Sequence, residues 1–229
     1  MTVGAIVAAG GRGERLGADL PKALVEVGGE ALVVHACRAL SEAGVAEIVV
    51  AAPDRSVALV QSLVPDARVV AGGATRTASV RRALDVLSSD VDIVLVHDAA
   101  RGLAPSSLVE RVVAAVRAGA DAVVPAVAVA DTIKQVDAAG AVVATVDREM
   151  LRAVQTPQGF RRSLLVAAHD AAGADPDASD DAGLVERLGE RVVTVPGSAE
   201  AAKVTTRSDL LVAEALLRHR SQPSGGMTT

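Results

Sequence analysis

The stretch Val3-Gly4-Ala5-Ile6-Val7-Ala8-Ala9, followed at once by Gly10-Gly11-Arg12-Gly13, decides the fold. Its apolar residues are continuous rather than alternating, which suits a strand buried on both faces of a parallel sheet. Similar β-branched runs recur at residues 47–52, 67–71, 92–97, 122–125 and 191–195. Between them, segments with helical length or spacing cover 31–43, 56–63, 75–88, 105–118, 161–172, 180–188 and 208–220. Pro105-Ser106-Ser107 with Glu110 reads as a helix entry, while Gly44, Gly119 and Gly189 sit where C-terminal caps belong. Strands alternating with helices predict an α/β protein, a three-layer sandwich around a mainly parallel twisted sheet.

At 229 residues the chain has room for one such domain with an elaboration, expected over 1–220 with a tail at 221–229 that is too small and polar to order. The elaboration is the segment 127–147, where Ile133-Lys134-Gln135-Val136 and Val142-Val143-Ala144-Thr145-Val146 flank Asp137-Ala138-Ala139-Gly140 and read as a β-hairpin. A protruding arm with apolar faces calls for a covering surface, so a homodimer is expected.

Composition excludes several classes. Half the residues are hydrophobic, 22% are charged and the mean hydropathy is +0.37, values foreign to a chain held open by charge. The first apolar run is far shorter than a membrane span and has no basic segment before it, so neither span nor signal peptide is expected, and the location is expected to be cytoplasmic. Cys37 is the single cysteine, and four scattered histidines without a second thiol make no zinc spacing. A net charge of −5, no Trp, no Tyr and the lone Phe160 argue against nucleic-acid binding.

The glycines after the first strand let backbone amides close on an anion. They form no Walker A loop, because no Gly-Lys pair occurs, and Leu16 stands at the third glycine of the dinucleotide pattern. Arg15 and Lys22 supply cations suited to polyphosphate. Lys22, Lys134 and Lys203 are the only lysines among 23 basic residues, so each marks a place where a compact ammonium can be wanted. Asp98 ends a predicted strand, at the edge where open α/β sheets bind ligands, and is available to a ribose hydroxyl or a magnesium ion. His97 before it reads as a hydrogen-bonded core histidine. Gly72-Gly73-Ala74-Thr75-Arg76-Thr77-Ala78-Ser79 either reads a base or caps a helix. Arg148, Thr156 and Lys203 offer a second anion site, and Phe160 is expected to pack on the following helix.

Taken in order, Ala8-Ala9-Gly10, Arg15, Pro21-Lys22, Gly72-Gly73-x-x-Arg76-x-x-Ser79, His97-Asp98-Ala99-Ala100-Arg101, Asp131-Thr132-x-Lys134, Thr156-Pro157-Gln158, Ser179-Asp180-Asp181-Ala182 and Lys203-Val204-Thr205 closely resemble the 2-C-methyl-D-erythritol 4-phosphate cytidylyltransferase family. The resemblance runs from residue 3 to about residue 215 and implies a Rossmann-like nucleotidyltransferase fold. It also implies transfer of CMP from CTP to methylerythritol phosphate, with magnesium and release of pyrophosphate, on the non-mevalonate route to isoprenoids. By the same resemblance Ala8, Ala9, Gly10, Gly72, Gly73 and Ser79 hold cytosine and ribose, with Asp98, Ala99 and Arg101 beside them. Arg15 and Lys22 hold the triphosphate. Thr132 and Arg148 reach across a dimer to the acceptor, whose site Thr156 and Lys203 complete.

The chain departs from that pattern at Gly102, where proline is common and a looser loop is expected, at Ala74, where an acidic residue can occur, and at Ser179, which replaces a frequent threonine. Three competing readings remain at this stage: a sister cytidylyltransferase acting on ribitol 5-phosphate, a nucleotide sensor that has lost catalysis, and a nicotinamide-dependent oxidoreductase.

Overall fold

A computed structural model of the chain describes residues 1–11, 13, 21–173 and 179–221; of the expected tail at 221–229, Ser221 ends the last helix and the rest lies outside the described residues. Strand β1 (Val3–Ala8) is central. It pairs in parallel with β4 (Glu47–Ala52) on one side and β6 (Ile93–Asp98) on the other. The short β2 (Glu26–Val27) and β3 (Glu30–Ala31) form a separate hairpin. Beyond β4 lies β5 (Arg68–Ala71), also parallel. Beyond β6 the sheet continues through β11 (Gln158–Arg161) to β7 (Ala122–Ala128), both contacts being antiparallel. Along β7 run β12 (Val192–Pro196), parallel, and β10 (Arg152–Val154), antiparallel. The sheet is therefore mixed but mainly parallel, as expected, with its parallel strands centred on β1 and a further parallel pair at β7–β12.

Alternate residues of β1 explain its unbroken apolar sequence. Ala5 and Val7 join a core with α1 (Leu32–Glu42), α2 (Val57–Leu63) and α4 (Ser106–Arg117). Ile6 faces a second core with α3 (Arg76–Val86), α5 (Arg162–Ala172) and α6 (Asp181–Arg187). Helices thus cover both faces, as expected. The predicted helix stops hold too, for Gly44, Gly119 and Gly189 each take a positive φ just past α1, α4 and α6. Helix α7 (Arg207–Ser221) packs across β2–β3 over a small third core that includes Val27, Leu32 and Val204. Phe160 is fully buried in the second core with Leu165 of α5, where it was expected to pack.

The hairpin arm forms as β8 (Ile133–Val136) and β9 (Val142–Val146), paired antiparallel and apart from the main sheet. Val136, Val142 and Val143 are all more than half exposed on it. Residues 158–161, where no strand was expected, form β11, inserted between β6 and β7.

Gly102 also departs from expectation. It ends a 3-10 turn (Ala99–Arg101) at φ −53°, ψ −27°, and a Cβ there would lie 2.7 Å from the Leu32 carbonyl oxygen. Close packing on α1 replaces the loosening expected of glycine. Gly102→Ala is therefore expected to destabilise the fold by about 1–3 kcal/mol through overpacking against backbone, read as a lower urea midpoint in far-UV circular dichroism.

Candidate active site

The connections from β1 leave toward opposite sides of the sheet, first to β4 and later, by way of β5, to β6, so the carboxyl ends of β1 and β6 frame the crevice where open α/β sheets bind ligands. The register sets Ala8 beside Asp98, which brings the glycine turn and the carboxylate together. A cavity of about 580 Å³ opens there. Of the residues singled out by sequence, Ala8, Ala9, Gly10, Lys22, Gly73, Ser79, Asp98, Ala99 and Lys203 line it. Arg15 lies outside the described residues.

Lys22 N–H donates to the Gly11 carbonyl at 2.9 Å, closing the loop that leaves β1. A 3-10 turn (Lys22–Leu24) then holds the side chain, which is buried and whose Nζ lies 3.3 Å from Thr205 Oγ1. Opposite, the turn at Gly72–Gly73 is tied by Ser79, whose Oγ accepts from the Gly73 N–H at 3.0 Å and donates to the Thr75 carbonyl at 2.8 Å. Only glycine fits at Gly73, since a Cβ would meet that of Ala78 at 2.5 Å. Gly72 supports this turn without lining the cavity. The turn caps α3, through Thr75 Oγ1 accepting from Ala78 N–H, and also walls the cavity.

Asp98 is the electrostatic centre. Its Oδ2 accepts from Lys203 Nζ at 2.8 Å and its Oδ1 from Arg76 Nε at 3.3 Å. Burial alone raises a carboxyl, but Arg76 and Lys203, with Arg101 behind them, hold Asp98 well below the usual carboxylate range. Lys22, Arg76 and Lys203 face this single carboxylate among the described lining residues, so an acidic protein carries a locally electropositive cavity. No group of three His, Cys, Asp or Glu capable of holding a metal ion occurs among the described residues. Both Asp98 oxygens are engaged by Arg76 and Lys203, so a magnesium ion here would be held mostly by phosphate oxygens, with Asp98 as the one carboxylate among the described lining residues.

Other predicted residues stand elsewhere. Thr156 is buried behind the cavity, its Oγ1 accepting from Asp98 N–H at 3.0 Å and pairing with His97 Nδ1 at 2.9 Å. It thereby fixes the end of β6. His97 is the core histidine expected, and burial pushes its pKa down to about 4, so it stays neutral at pH 7. Arg101 donates to the Ala201 and Val154 carbonyls, while its Nε is buried without a partner among the described residues. Thr132 and Arg148 are exposed at the base of the arm, where Arg148 Nη1 donates to the Ala130 carbonyl. Neither lines the cavity of its own chain. Cys37 is buried, with its thiol pushed up to about 12, and carries no chemistry.

Arg76 and Thr205 line the cavity without having been assigned a task from sequence. The signal for Arg76 was its place in the first turn of a helix that starts beside a glycine turn; Thr205 follows Lys203 by two residues.

Against known proteins, the sequence profile of the 2-C-methyl-D-erythritol 4-phosphate cytidylyltransferase family matches residues 3–219. The chain is 56% identical over 217 residues to the protein of that name from Frankia casuarinae, covering 94% of this chain and 81% of the relative. It is 55% identical over 225 residues to the one from Saccharopolyspora erythraea, covering 95% of this chain and all of the relative. The crystal structure of 2-C-methyl-D-erythritol 4-phosphate cytidylyltransferase from Thermus thermophilus superposes with a TM-score of 0.80 at 39% identity, over 95% of this chain and 100% of that one. That of 4-diphosphocytidyl-2C-methyl-D-erythritol synthase from Anaerococcus prevotii gives 0.82 at 28% identity, over 95% and 98%.

Proposed function

The chain belongs to the 2-C-methyl-D-erythritol 4-phosphate cytidylyltransferase family, and we propose that it carries out the reaction this name describes. CMP passes from CTP to methylerythritol phosphate, giving 4-diphosphocytidyl-2-C-methyl-D-erythritol and pyrophosphate, a step toward isoprenoid precursors in the cytoplasm. The observation that carries the reading is the cavity in which a glycine turn, Lys22, Arg76 and Lys203 surround Asp98 at the carboxyl ends of β1 and β6.

The acceptor phosphate oxygen attacks the α-phosphorus of CTP, and the bond from that phosphorus to the bridging oxygen of the β-phosphate breaks. A phosphate dianion is already a nucleophile, so no Ser, Cys or His nucleophile is called for. The demand is to bring two anions into line and shield them, a task of positioning and fixed positive charge. Lys22, together with Arg15, neutralises the triphosphate. Ala8, Ala9, Gly10, the Gly72–Gly73 turn and Ser79 offer backbone and hydroxyl groups to cytosine and ribose, with Asp98 and Ala99 beside them and Arg101, off the cavity lining, supporting Asp98 electrostatically. Lys203 serves the acceptor, and Thr156 keeps Asp98 in place from behind. A magnesium ion held by the triphosphate and Asp98 would add further charge neutralisation at the α-phosphate.

The exposed valines of the arm support a homodimer in which Thr132 of the partner subunit and Arg148 of the partner subunit complete the acceptor site. Deleting residues 131–146 is expected to leave CTP affinity within about threefold, while acceptor-dependent turnover falls by at least about 10²-fold and sedimentation shows a monomer. A wild-type monomer at micromolar concentration would remove the dimer.

The assignment is tested by magnesium-dependent pyrophosphate release from CTP, ATP, GTP and UTP, each with methylerythritol phosphate or ribitol 5-phosphate. Release confined to CTP with methylerythritol phosphate is expected. Release with ribitol phosphate alone would move the chain to the sister activity, and silence with every pair would favour a sensor. Protein must be quantified without 280-nm absorbance, since the chain has neither Trp nor Tyr.

A further inference from the structure

A second carboxylate, Asp181, stands behind the cavity and is 1% exposed at the start of α6. Its Oδ2 accepts from Arg76 Nη1 at 2.6 Å and its Oδ1 pairs with His169 Nε2 of α5 at 3.0 Å. The segment holding it is fixed to the sheet by Gln158 of β11. Gln158 Nε2 donates to Asp180 Oδ2 at 2.7 Å, and its Oε1 accepts from the Ala182 N–H at 3.1 Å. His169 and Gln158 are themselves 4% and 1% exposed. A buried charge held this firmly would be costly if its sole task were stability, because well-packed apolar residues commonly do as well.

Geometry suggests what the charge does instead. Arg76 spans two carboxylates, Nη1 on Asp181 and Nε on Asp98. A guanidinium free to choose would close on Asp98 with both arms, the bidentate arrangement that arginine and carboxylate favour. That closure would occupy Asp98 Oδ2, the atom that now accepts from Lys203 at 2.8 Å.

We propose that Asp181, oriented by His169, is a positioning residue that holds Arg76 to a one-armed contact with Asp98 and so reserves the other Asp98 oxygen for Lys203. The nucleotide side and the acceptor side of the cavity are thereby kept in fixed relation by a pair of residues that touch neither substrate. The catalytic consequence rests on the cytidylyl-transfer reading above; the geometric one does not.

Asp181→Asn keeps size but replaces one of the two acceptor oxygens with a donor and removes the charge that retains Arg76. It is expected to lower kcat/KM for CTP about tenfold, with most of the loss in kcat at saturating CTP. In an Asp98→Asn background the same change should cost less than twofold, because its effect runs through Asp98. Arg76→Lys, which can reach one carboxylate but cannot bridge two, should show the same tenfold loss and covers the case in which Asp181→Asn fails to fold. A signature independent of turnover is the Arg76 Nη1–H proton resonance, from the atom that Asp181 holds, assigned by its disappearance in Arg76→Lys. It should exchange slowly with water in the unmodified protein and measurably faster in Asp181→Asn. Additive losses in the Asp98→Asn background, or an Arg76 signal that Asp181→Asn leaves unchanged, would overturn the proposal. If the unmodified protein releases no pyrophosphate from CTP while the Arg76 signal behaves as stated, the reaction assignment fails and the positioning role stands.

Discussion

Lys22→Ala is expected to lower turnover by about 10²–10³-fold, the loss typical of removing one preorganised group that stabilises developing charge, while the melting temperature stays within a few degrees. The expectation rests on how the side chain is presented. Its backbone N–H is bonded to Gly11 and its body is buried in a 3-10 turn, yet the residue lines the cavity at the mouth of the glycine turn. A cation held this way is already in place when charge builds on the bridging and α-phosphoryl oxygens, so little reorganisation is needed. An interaction that strengthens only in the transition state appears in kcat, whereas equal binding of ground and transition states appears in KM alone. Pyrophosphate release at saturating CTP and acceptor separates the two. Unchanged kcat with a raised KM would reduce Lys22 to a ground-state anchor, and unchanged values of both would remove it from the site. Lys22→Arg should recover little, because a planar fork presents its charge differently from a compact ammonium.

The part of this site that could be read from sequence is the part built from neighbouring residues. The turn after β1, the Gly72–Gly73 turn and the strand end at Asp98 are each contiguous, and strand ends in open α/β sheets meet by rule. What sequence could not reveal is the pairing of distant charges. Arg76 with Asp181 and Asp98 with Lys203 are each separated by 105 residues, and nothing local to Arg76 says which acid it meets. Arg15, central to the sequence reading, lies outside the described residues, so the structure leaves its role where the family resemblance put it.

The strands divide in the same way. Those buried on both faces by helices were legible because burial demands continuous apolar sequence, as in β1, β4 and β6. Strand β11 is as buried but reads Gln158-Gly159-Phe160-Arg161. Gln158 is polar because it clamps the start of α6, and Gly159 is small because a Cβ would meet Val112 of α4 at 2.5 Å. Tertiary demands at both positions erased the pattern that would announce a strand. Strand β10 escaped for the opposite reason, since all three of its residues are exposed at an edge.

Phe160→Ala is expected to have the largest effect on stability of any single truncation here, about 3–5 kcal/mol. The ring is the sole benzene ring of the chain, which has one Phe and no Tyr or Trp, is fully buried, and joins strands and helices of the second core. Neighbours cannot easily collapse into the space, because β11 is fixed on both sides, to Val94 of β6 and Ala122 of β7. Against a total stability of about 5–15 kcal/mol, the loss should lower the melting temperature by about 6–20 °C for a chain of this length, measured by far-UV circular dichroism. Phe160→Leu, which refills most of the volume, should cost less than about half as much. The effect on the chemistry should be small, travelling only through α5 and α6, which share the core of Phe160 and carry His169 and Asp181. Phe160 is level with Val94, four residues and therefore about 13 Å along β6 from Asp98, beyond the range over which substitutions usually couple. Below its melting transition the variant should turn over within a few-fold of the unmodified protein. Lys22→Ala and Phe160→Ala are thus expected to separate, one removing mainly activity and the other mainly stability. A Phe160→Ala protein that melts normally would remove the ring as the anchor of the second core, and one that stays folded but loses turnover would show that this core and the cavity are strongly coupled.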